Sequence, residues 1–306
     1  MCSDYILRSC IPVVLAVLLP LITCPGCSVK ENRDSCPCLL ELDLSDTSPS
    51  AGLYEAGACI SIAGVSGNAD GFMLSDTLSC GFSDNDAADF RWSGIVPRGS
   101  VLAGVISGVT DAPALCVPPE AWMRIRPGSD CPEVWLCCSE MDTRCDHAVV
   151  PMALHKSFCM LTIMVKNVSG APFPFRMEVR GNVCGYGLDG KPIEGRFIAP
   201  VRYTMDEYGL LGDASEERYL SRVGAAGAIE GYVRLPRQVD ASLLLDIISE
   251  DDVSRTFAIG NYIDASGYDW NSTDLKDIAM EIDYARMAVD IRIGSWMVTE
   301  QFEAVI

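Results

Sequence analysis

Short segments in which apolar and polar residues alternate recur along most of this chain. Alternation with a period of two is typical of a β-strand that buries one face. Residues 39–44 are the clearest case, with three leucines on one face and two acidic residues on the other. Similar segments are found at 60–62, 72–74, 101–109, 134–136, 161–165, 175–179, 280–284 and 289–293. The pattern therefore predicts a protein built almost entirely of β-strands.

Turn-forming residues separate these segments. A cluster rich in Gly, Asn and Asp occupies 67–71, and strands spaced by such turns favour a β-sandwich. A continuous apolar run at 243–248, interrupted only by Asp246, predicts a further buried strand. Helical signals are limited to short turns at 216–223 and 273–277. We therefore expect an all-β sandwich fold.

A polar stretch divides the chain into two strand-rich halves. Residues 142–150 are mostly polar, and Pro151 begins a new run of alternating segments. The sequence therefore predicts two domains in tandem, residues 38–150 and 151–306. A chain of 306 residues is long enough for two domains of this size.

The beginning of the chain has the pattern of an export signal. An apolar run at 11–22 follows a short head that contains Arg8. The run is too short for a membrane-spanning helix, which needs roughly 20 apolar residues, but it matches the core of a signal peptide. The Gly26-Cys27-Ser28 sequence that follows is similar to a bacterial lipobox. We therefore predict a lipoprotein signal peptide at 1–26, lipidation of Cys27 and a polar tether at 27–37.

A second cysteine is an alternative lipid site. Cys24 has Leu21 three residues before it, which is the usual place of the lipobox leucine, but Thr23 precedes it where a small residue is usual. Cys27 is therefore preferred, and Cys24 stays open. The two cysteines also form a Cys-x-x-Cys pair of the kind found in redox proteins. Cleavage before Cys27 would separate their sulfurs, so a redox role is not expected.

The charge of the chain excludes one class of function. The net charge is −19 at pH 7, whereas nucleic-acid binding needs clustered Lys and Arg to neutralise phosphates. The same acidity argues against a polybasic membrane patch. Attachment to a membrane would therefore depend on the lipid, and we expect no nucleic-acid partner.

The cysteines do not form a regular framework. Four of the 15 lie at or before Cys27, and the other 11 show no repeated spacing. Dense disulfide scaffolds belong to small domains, whereas a chain that is 49% hydrophobic can build cores without them. We expect many of these cysteines to be buried apolar residues or free thiols. One or two disulfides near 131–145 remain open.

The sequence offers little that could support catalysis. It contains two histidines, His147 and His155, and no Gly-x-Ser-x-Gly nucleophile motif. The acidic clusters at 84–86 and 250–252 do not have the layout of a calcium loop, and phosphate-binding glycine motifs are absent. The cysteines also do not follow the paired spacing of zinc ribbons. We therefore predict no catalytic residue, metal, cofactor or small-molecule substrate, and expect the protein not to be an enzyme.

Short segments that recur in a fixed order carry a further signal: 27–33, 36–38, 95–99, 107–109, 140–144, 150–156, 180–186, 192–195, 262–263, 267–270 and 281–285. This ordered series resembles the FimB/Mfa-type fimbrial subunits of Bacteroidetes, the anchor subunits of type V pili. The resemblance covers essentially the whole mature chain and lies in the order of the segments, since none of them is specific alone. Lys30-Glu31 is also similar to the signal that directs such lipoproteins to the outer face of the outer membrane.

The resemblance implies a fold, a location and partners. The fold would be two transthyretin-like β-sandwich domains in tandem. The protein would be anchored by lipid in the cell outer membrane, at the base of a fimbrium, and would hold shaft subunits by β-strand exchange. In such exchange one chain completes the sheet of a neighbour.

Two segments are candidates for that exchange. One is the first strand, 39–44. The other is the C-terminal segment 295–306, whose apolar residues we single out: Trp296, Val298, Phe302, Val305 and Ile306. Whether the protein donates or receives a strand stays open, as does the reading of both segments as ordinary internal strands.

Three alternatives remain. A glycan-binding surface lipoprotein would need exposed aromatic platforms, for which the five tryptophans are the candidates. A secreted hydrolase is disfavoured by the missing nucleophile motifs. A stalk or tip fimbrillin would have an arginine cleavage site after which the first strand is discarded. Here Arg33 precedes the first strand, which favours an uncleaved base subunit.

Overall fold

Strands account for most of the structure. The computed structural model describes residues 36–47, 57–66, 72–78, 90–109, 122–166, 175–203, 228–249, 254–283, 288–293 and 296–298. These residues form 19 strands and one short helix. The elements are β1 (Cys38–Asp43), β2 (Ala58–Ser66), β3 (Met73–Leu78), β4 (Arg91–Val96), β5 (Ser100–Ser107), β6 (Met123–Arg124), β7 (Trp135–Asp142), β8 (His147–Pro151), β9 (His155–Lys156), β10 (Phe158–Lys166), β11 (Phe175–Tyr186), β12 (Pro192–Pro200), β13 (Arg202–Tyr203), β14 (Ala228–Pro236), β15 (Leu244–Ser249), β16 (Ser254–Phe257), α1 (Ile259–Ala265), β17 (Ile278–Asp283), β18 (Ala288–Ile293) and β19 (Trp296–Val298).

The strands are arranged in four sheets. Sheet 1 has the order β4-β1-β8, and sheet 2 has the order β3-β2-β5-β7-β9. Sheet 3 has the order β12-β11-β15-β16, with β6 paired to β11. Sheet 4 has the order β13-β14-β10-β17-β18-β19. The predicted all-β fold is confirmed.

Sheets 1 and 2 supply the first hydrophobic core. Along β1, Leu40 and Leu42 are buried, whereas Leu39 is exposed, as the alternating pattern predicts. They pack in one cluster with apolar side chains of sheet 2 such as Ile60 and Val105. A strand with period two places every second residue on the same face, so one leucine-rich face suffices to attach sheet 1 to sheet 2.

The second hydrophobic core combines sheets 3 and 4. Its buried side chains include Ile163 of β10, Val179 of β11, Leu245 of β15 and Met280 of β17. Buried side chains between Trp122 and Leu136 also belong to this core. The polar residue that interrupts the apolar run of β15 is paired: Asp246 accepts hydrogen bonds from Arg180 and Thr256 on the neighbouring strands.

Sheet 2 contributes to both cores. Val105 packs in the first core, while its neighbour Ile106 packs in the second. On this second face the Trp122 indole donates a hydrogen bond to Ser61 Oγ at 3.1 Å. Gly104 leaves room for that ring, since a Cβ there would come within 3.0 Å of it. Both cores lie in one compact unit that begins at Pro37, and the boundary at residue 150 stays a prediction.

The helix was not predicted. It spans seven residues and buries Ile259 and Ile263, one turn apart, in the second core. Two turns are too short for a 3.6-residue period to stand out in a sequence. Of the two predicted helical turns, 273–277 is irregular and 216–223 lies outside the described residues. Within the part of the chain that the structure describes, no helix has the length and hydropathy needed to cross a membrane.

Candidate functional site

The first strand lies in the middle of its sheet. Across one edge β1 is antiparallel to β4, with Leu40 opposite Gly94, and across the other it is parallel to β8, with Leu40 opposite Ala148. Both rows of its backbone hydrogen-bonding groups are therefore occupied. The exchange candidate at 39–44 is an internal strand in this structure, and another chain could join it only by displacing β4 or β8.

The last described strand has the opposite position. In β19, Trp296 lies opposite Ile293 and Val298 lies opposite Ile291, both on β18. Among the described residues, β18 is the one strand that pairs with β19, so β19 forms the edge of sheet 4. An edge strand presents unpaired N–H and C=O groups, which are a template for another strand.

The other predicted site residues lie outside the described part of the chain. These are the lipidation site Cys27 and the exchange candidates Phe302, Val305 and Ile306. Trp296 and Val298 are placed by their backbones on β19. The role of all six stays a prediction.

A second exposed surface lies on the outer face of sheet 1. Leu39 and Ile95 are directly opposite each other on β1 and β4, and Val149 lies on β8 opposite Glu41. Ile95 is 68% exposed and Val149 is 54% exposed. We did not predict this patch from the sequence, because Ile95 and Val96 are adjacent apolar residues and the alternation does not reveal which one points outward.

Both histidines are held by carboxylates. His147 Nε2 lies 3.0 Å from Glu41 Oε1, across the β1–β8 pair. His155 Nδ1 lies 3.4 Å from Asp274 Oδ2, and the same carboxylate accepts a hydrogen bond from the Lys156 backbone N–H at 2.7 Å. These contacts tie neighbouring elements together, as a structural histidine does. Among the described residues, no group of three or more His, Cys, Asp or Glu is arranged to hold a metal.

A buried carboxylate attaches the segment before β7 to sheet 4. Asp130 is 5% exposed and accepts hydrogen bonds from Arg202 at 2.7 Å and Arg234 at 2.9 Å. Arg234 also contacts Glu133 at 2.9 Å. Charge-assisted bonds of this kind are stronger than neutral ones and fix the geometry of the paired groups. We assign this group a structural role.

The tryptophans with described side chains belong to the cores. Trp92 and Trp122 are buried, and Trp135 and Trp270 are partly buried and packed against the cores. The Trp92 indole also donates to Asp76 Oδ2 at 2.9 Å. A sugar platform needs a flat aromatic face open to solvent, and these four side chains are used for packing instead.

Comparisons with known proteins establish the fold. No family model matches the sequence, and no curated protein matches it in sequence. Among solved structures, the fimbrial anchor protein Mfa2 from Porphyromonas gingivalis is similar over 87% of this chain and 100% of its own, with TM-score 0.57 and 10% identity. A candidate adhesin from Bacteroides thetaiotaomicron is similar over 86% of this chain and 98% of its own, with TM-score 0.54 and 11% identity. A candidate polysaccharide-binding protein from the same species is similar over 87% and 98%, with TM-score 0.55 and 11% identity.

These similarities confirm the resemblance at the level of the fold. The chain has the all-β architecture of a fimbrial anchor protein and of related candidate adhesins from Bacteroidetes. At about one identical residue in ten, a shared fold does not carry function with it, since one fold can host many functions.

Proposed function

We propose that this protein is a non-enzymatic, lipid-anchored fimbrial subunit that attaches a fimbrial shaft to the outer membrane by β-strand exchange. The partners are shaft subunits, and the protein is exposed at the cell surface at the base of the fimbrium. The lipid on Cys27 is the membrane attachment. The proposal is supported by the lipobox-like sequence, by the fold and by the strand arrangement of sheet 4.

The position of β19 carries the proposal. An edge strand can receive a strand from another chain, or it can leave its own sheet and enter a neighbour's. In both cases main-chain hydrogen bonds supply the affinity, and alternate side chains supply specificity. The similarity to Mfa2 covers the whole of that anchor protein, so the comparison extends beyond a shared single domain.

Two proline variants test the edge of β19 directly. Neighbouring N–H groups of a strand point to opposite sides, and proline has none. Of Met297→Pro and Val298→Pro, one therefore removes a donor from the outer edge and the other removes a donor from the β18 side. Tagged full-length variants would be expressed in the producing bacterium, and co-purified shaft subunits would be quantified beside the thermal unfolding midpoint.

The amount of co-purified shaft subunits and the unfolding midpoint together decide the result. We expect the variant with the unchanged unfolding midpoint to lose most of the co-purified shaft subunits. Ile95→Glu, on the exposed face of sheet 1, is the matched control and should retain them. Undiminished co-purification with both prolines, and with residues 295–306 deleted, would remove β19 as the exchange strand.

A labelling experiment tests the anchor separately. Cys27→Ser should abolish incorporation of labelled palmitate and release the protein from the membrane fraction, whereas Cys24→Ser should change neither. Several acyl chains are needed for firm anchoring, because a single chain binds only marginally. Loss of labelling in Cys24→Ser but not in Cys27→Ser would move the lipid site to Cys24.

One comparison favours a second candidate function. A solved structure with the same fold is described as a candidate polysaccharide-binding protein. A surface lipoprotein that binds glycans would fit the same signal sequence. Screening the purified protein on a glycan array distinguishes the two: tight binding to one sugar class, retained in both proline variants, would favour glycan binding over strand exchange.

A further inference from the structure

Two cysteines that are distant in sequence meet at the start of β1. Cys38 is the first residue of β1, and Cys145 lies in the turn between β7 and β8. The Leu39 backbone N–H donates to the Asp146 carbonyl at 3.0 Å, and Leu39 lies opposite His147 in the parallel register. This pairing brings the two cysteines close together at the start of β1. The Cys38 thiol donates to the Leu39 carbonyl at 3.5 Å, and Cys145 is near enough to raise the pKa of Cys38.

The turn that carries Cys145 is held in place on both sides. Arg98 donates one hydrogen bond to the Arg144 carbonyl at 2.9 Å and another to the Asp146 carboxylate. On the other side, the Thr143 hydroxyl lies 2.8 Å from the Pro97 carbonyl oxygen, and the Thr143 backbone N–H donates to the Gly99 carbonyl at 2.8 Å. The backbone around Cys145 is therefore held in a fixed position beside the start of β1.

The two thiols differ in exposure. Cys38 is fully buried, whereas Cys145 is exposed. Burial, together with the neighbouring Cys145 thiol, raises the pKa of Cys38 to about 11, although Arg98 opposes the shift. The thiolate is the reactive form of cysteine, so an external reagent is expected to react first at the exposed Cys145.

We propose that Cys38 and Cys145 are an oxidisable pair that closes to a disulfide between β1 and the β7–β8 turn. The oxidant is an external disulfide. The Cys145 thiolate attacks one of its sulfurs and releases the other as a thiol, which leaves a mixed disulfide on Cys145. Cys38 then loses its proton and attacks the Cys145 sulfur, which releases the second thiol. The two cysteines together lose two protons and two electrons, and the external disulfide becomes two thiols.

The same asymmetry protects the bond once it has formed. A reductant reaches the exposed Cys145 sulfur first and must expel Cys38, whose high pKa makes it a slow leaving group. The bond closes a loop of more than 100 residues, and long loops gain most from such a closure. The bond would also link β1, the first strand after the tether, to the turn that precedes β8. A force applied to the tether would then be transmitted to β8 as well as to β1. Only this last consequence rests on the proposed function.

Peptide mapping of the full-length protein tests the pair. The protein would be equilibrated with oxidised and reduced glutathione, the remaining thiols blocked, and the chain cut with trypsin without reduction. Cys145 lies in the tryptic peptide 145–156, and Cys38 lies in 34–91 together with Cys36, Cys59 and Cys80. We expect these two peptides to be joined and to separate on reduction.

Single serine variants identify the partner. Cys38→Ser and Cys145→Ser should both remove the joined peptide, whereas Cys36→Ser should keep it, as should Cys184→Ser in the second half. The oxidised wild-type protein should unfold at a higher guanidinium concentration than the reduced one, and this difference should vanish in Cys145→Ser. Peptides that stay separate in the wild type, or that stay joined in Cys38→Ser, would overturn the inference. Because the test uses purified protein, it does not depend on whether the protein serves a fimbrium.

Discussion

Sheets 1 and 4 share one arrangement and differ in how far it extends. In sheet 1, β1 lies between the antiparallel β4 and the parallel β8. In sheet 4, β10 lies in the same way between the antiparallel β14 and the parallel β17. Among the described residues, sheet 1 ends at these neighbours, whereas sheet 4 continues with β13 on one side and with β18 and β19 on the other.

This difference indicates which strands lie beyond the arrangement that the two sheets share. In the described part of the chain, sheet 1 consists of three strands, whereas in sheet 4 β18 and β19 extend the corresponding arrangement. A strand added beyond the parallel neighbour can be exchanged with less disturbance than β1 or β10, because each of those two strands is hydrogen-bonded to a neighbouring strand on both sides. The comparison supports the C-terminal segment over the first strand as the place of strand exchange.

The outer faces of the two sheets also differ. Sheet 1 exposes Leu39, Ile95 and Val149. The corresponding face of sheet 4 carries an ion pair between Lys166 and Glu281, which lie on β10 and β17. Sheet 1 has charged pairs on this face as well, Glu41 with His147 and Asp43 with Arg91, so the difference lies in its exposed apolar side chains.

The largest expected effect comes from truncating the two central strands. Leu42→Ala in β1 and Ile163→Ala in β10 each remove a fully buried side chain, and each should lower the free energy of unfolding by about 3 kcal/mol. Denaturant titration with tryptophan fluorescence measures both. Thr162→Ala, on the partly exposed face of β10, is the control and should cost far less. If the free energy of unfolding fell much less for Leu42→Ala than for Ile163→Ala, the first core would tolerate truncation of a buried side chain better than the second.

A smaller effect is expected from one hydroxyl in the second core. The buried Tyr186 donates to the Ser157 carbonyl and accepts a hydrogen bond from the Arg237 backbone N–H at 2.8 Å. Tyr186→Phe leaves both partners unsatisfied and should destabilise the protein by about 2 kcal/mol. Hydrogen exchange should show faster opening in sheet 4 than in sheet 1. Equal acceleration in both sheets would mean that the two cores open as one unit.

Low pH should also destabilise the two halves of the chain to different extents. Burial opposes ionisation of Asp246, but hydrogen bonds from Arg180 and Thr256 outweigh it and leave the pKa of Asp246 below its usual 3.8. Since the folded pKa lies below the unfolded one, the carboxylate stabilises the fold above about pH 3.8, and this contribution is lost as the pH falls through the folded pKa. Stability measured from pH 6 to pH 2 should fall less steeply in Asp246→Asn.

The first half offers a matched control for this pH dependence. Hydrogen bonds from the Trp92 indole and the Thr77 backbone lower the pKa of Asp76, but this carboxylate lies in the exposed strand β3. Because solvent screens an exposed carboxylate, Asp76→Asn should flatten the acid limb of the stability curve less than Asp246→Asn does. If it flattens the curve as much as Asp246→Asn does, the acid sensitivity does not distinguish the two halves.

The smallest expected effect lies on the outer face of sheet 1. Ile95→Glu should change the free energy of unfolding by no more than about 0.5 kcal/mol, because the side chain is largely exposed. It should, however, reduce any self-association that uses this face, as measured by light scattering of the purified protein. A large loss of stability would mean that the face is covered within the folded chain.

Much of the strand content could be predicted from the alternation alone. The segment 39–44 became β1 with its start one residue earlier, and 161–165 lies within the longer β10. The pairing of Asp246 could not be predicted, because its two partners come from different strands. The helix α1 was missed because seven residues are too few to display a helical period.

The candidate site was predictable in part. The sequence pointed to 295–306 as an apolar C-terminal segment, and the structure places its beginning at a sheet edge. It could not separate this segment from 39–44, since both are short, alternating and apolar on one face. The contact between Cys38 and Cys145 was equally hidden, because it depends on a parallel pairing of strands that are distant in the chain.

The sequence by itself determined which residues are apolar at every second position, and hence that strands form and, where the alternation is regular, which face a strand buries. It also determined the acidic charge and the resemblance to an exported, lipid-modified fimbrial subunit. Only the tertiary structure decided which strand is internal and which is an edge. The physical reason is that neighbouring strands are joined by backbone hydrogen bonds, and every residue except proline carries the same backbone groups.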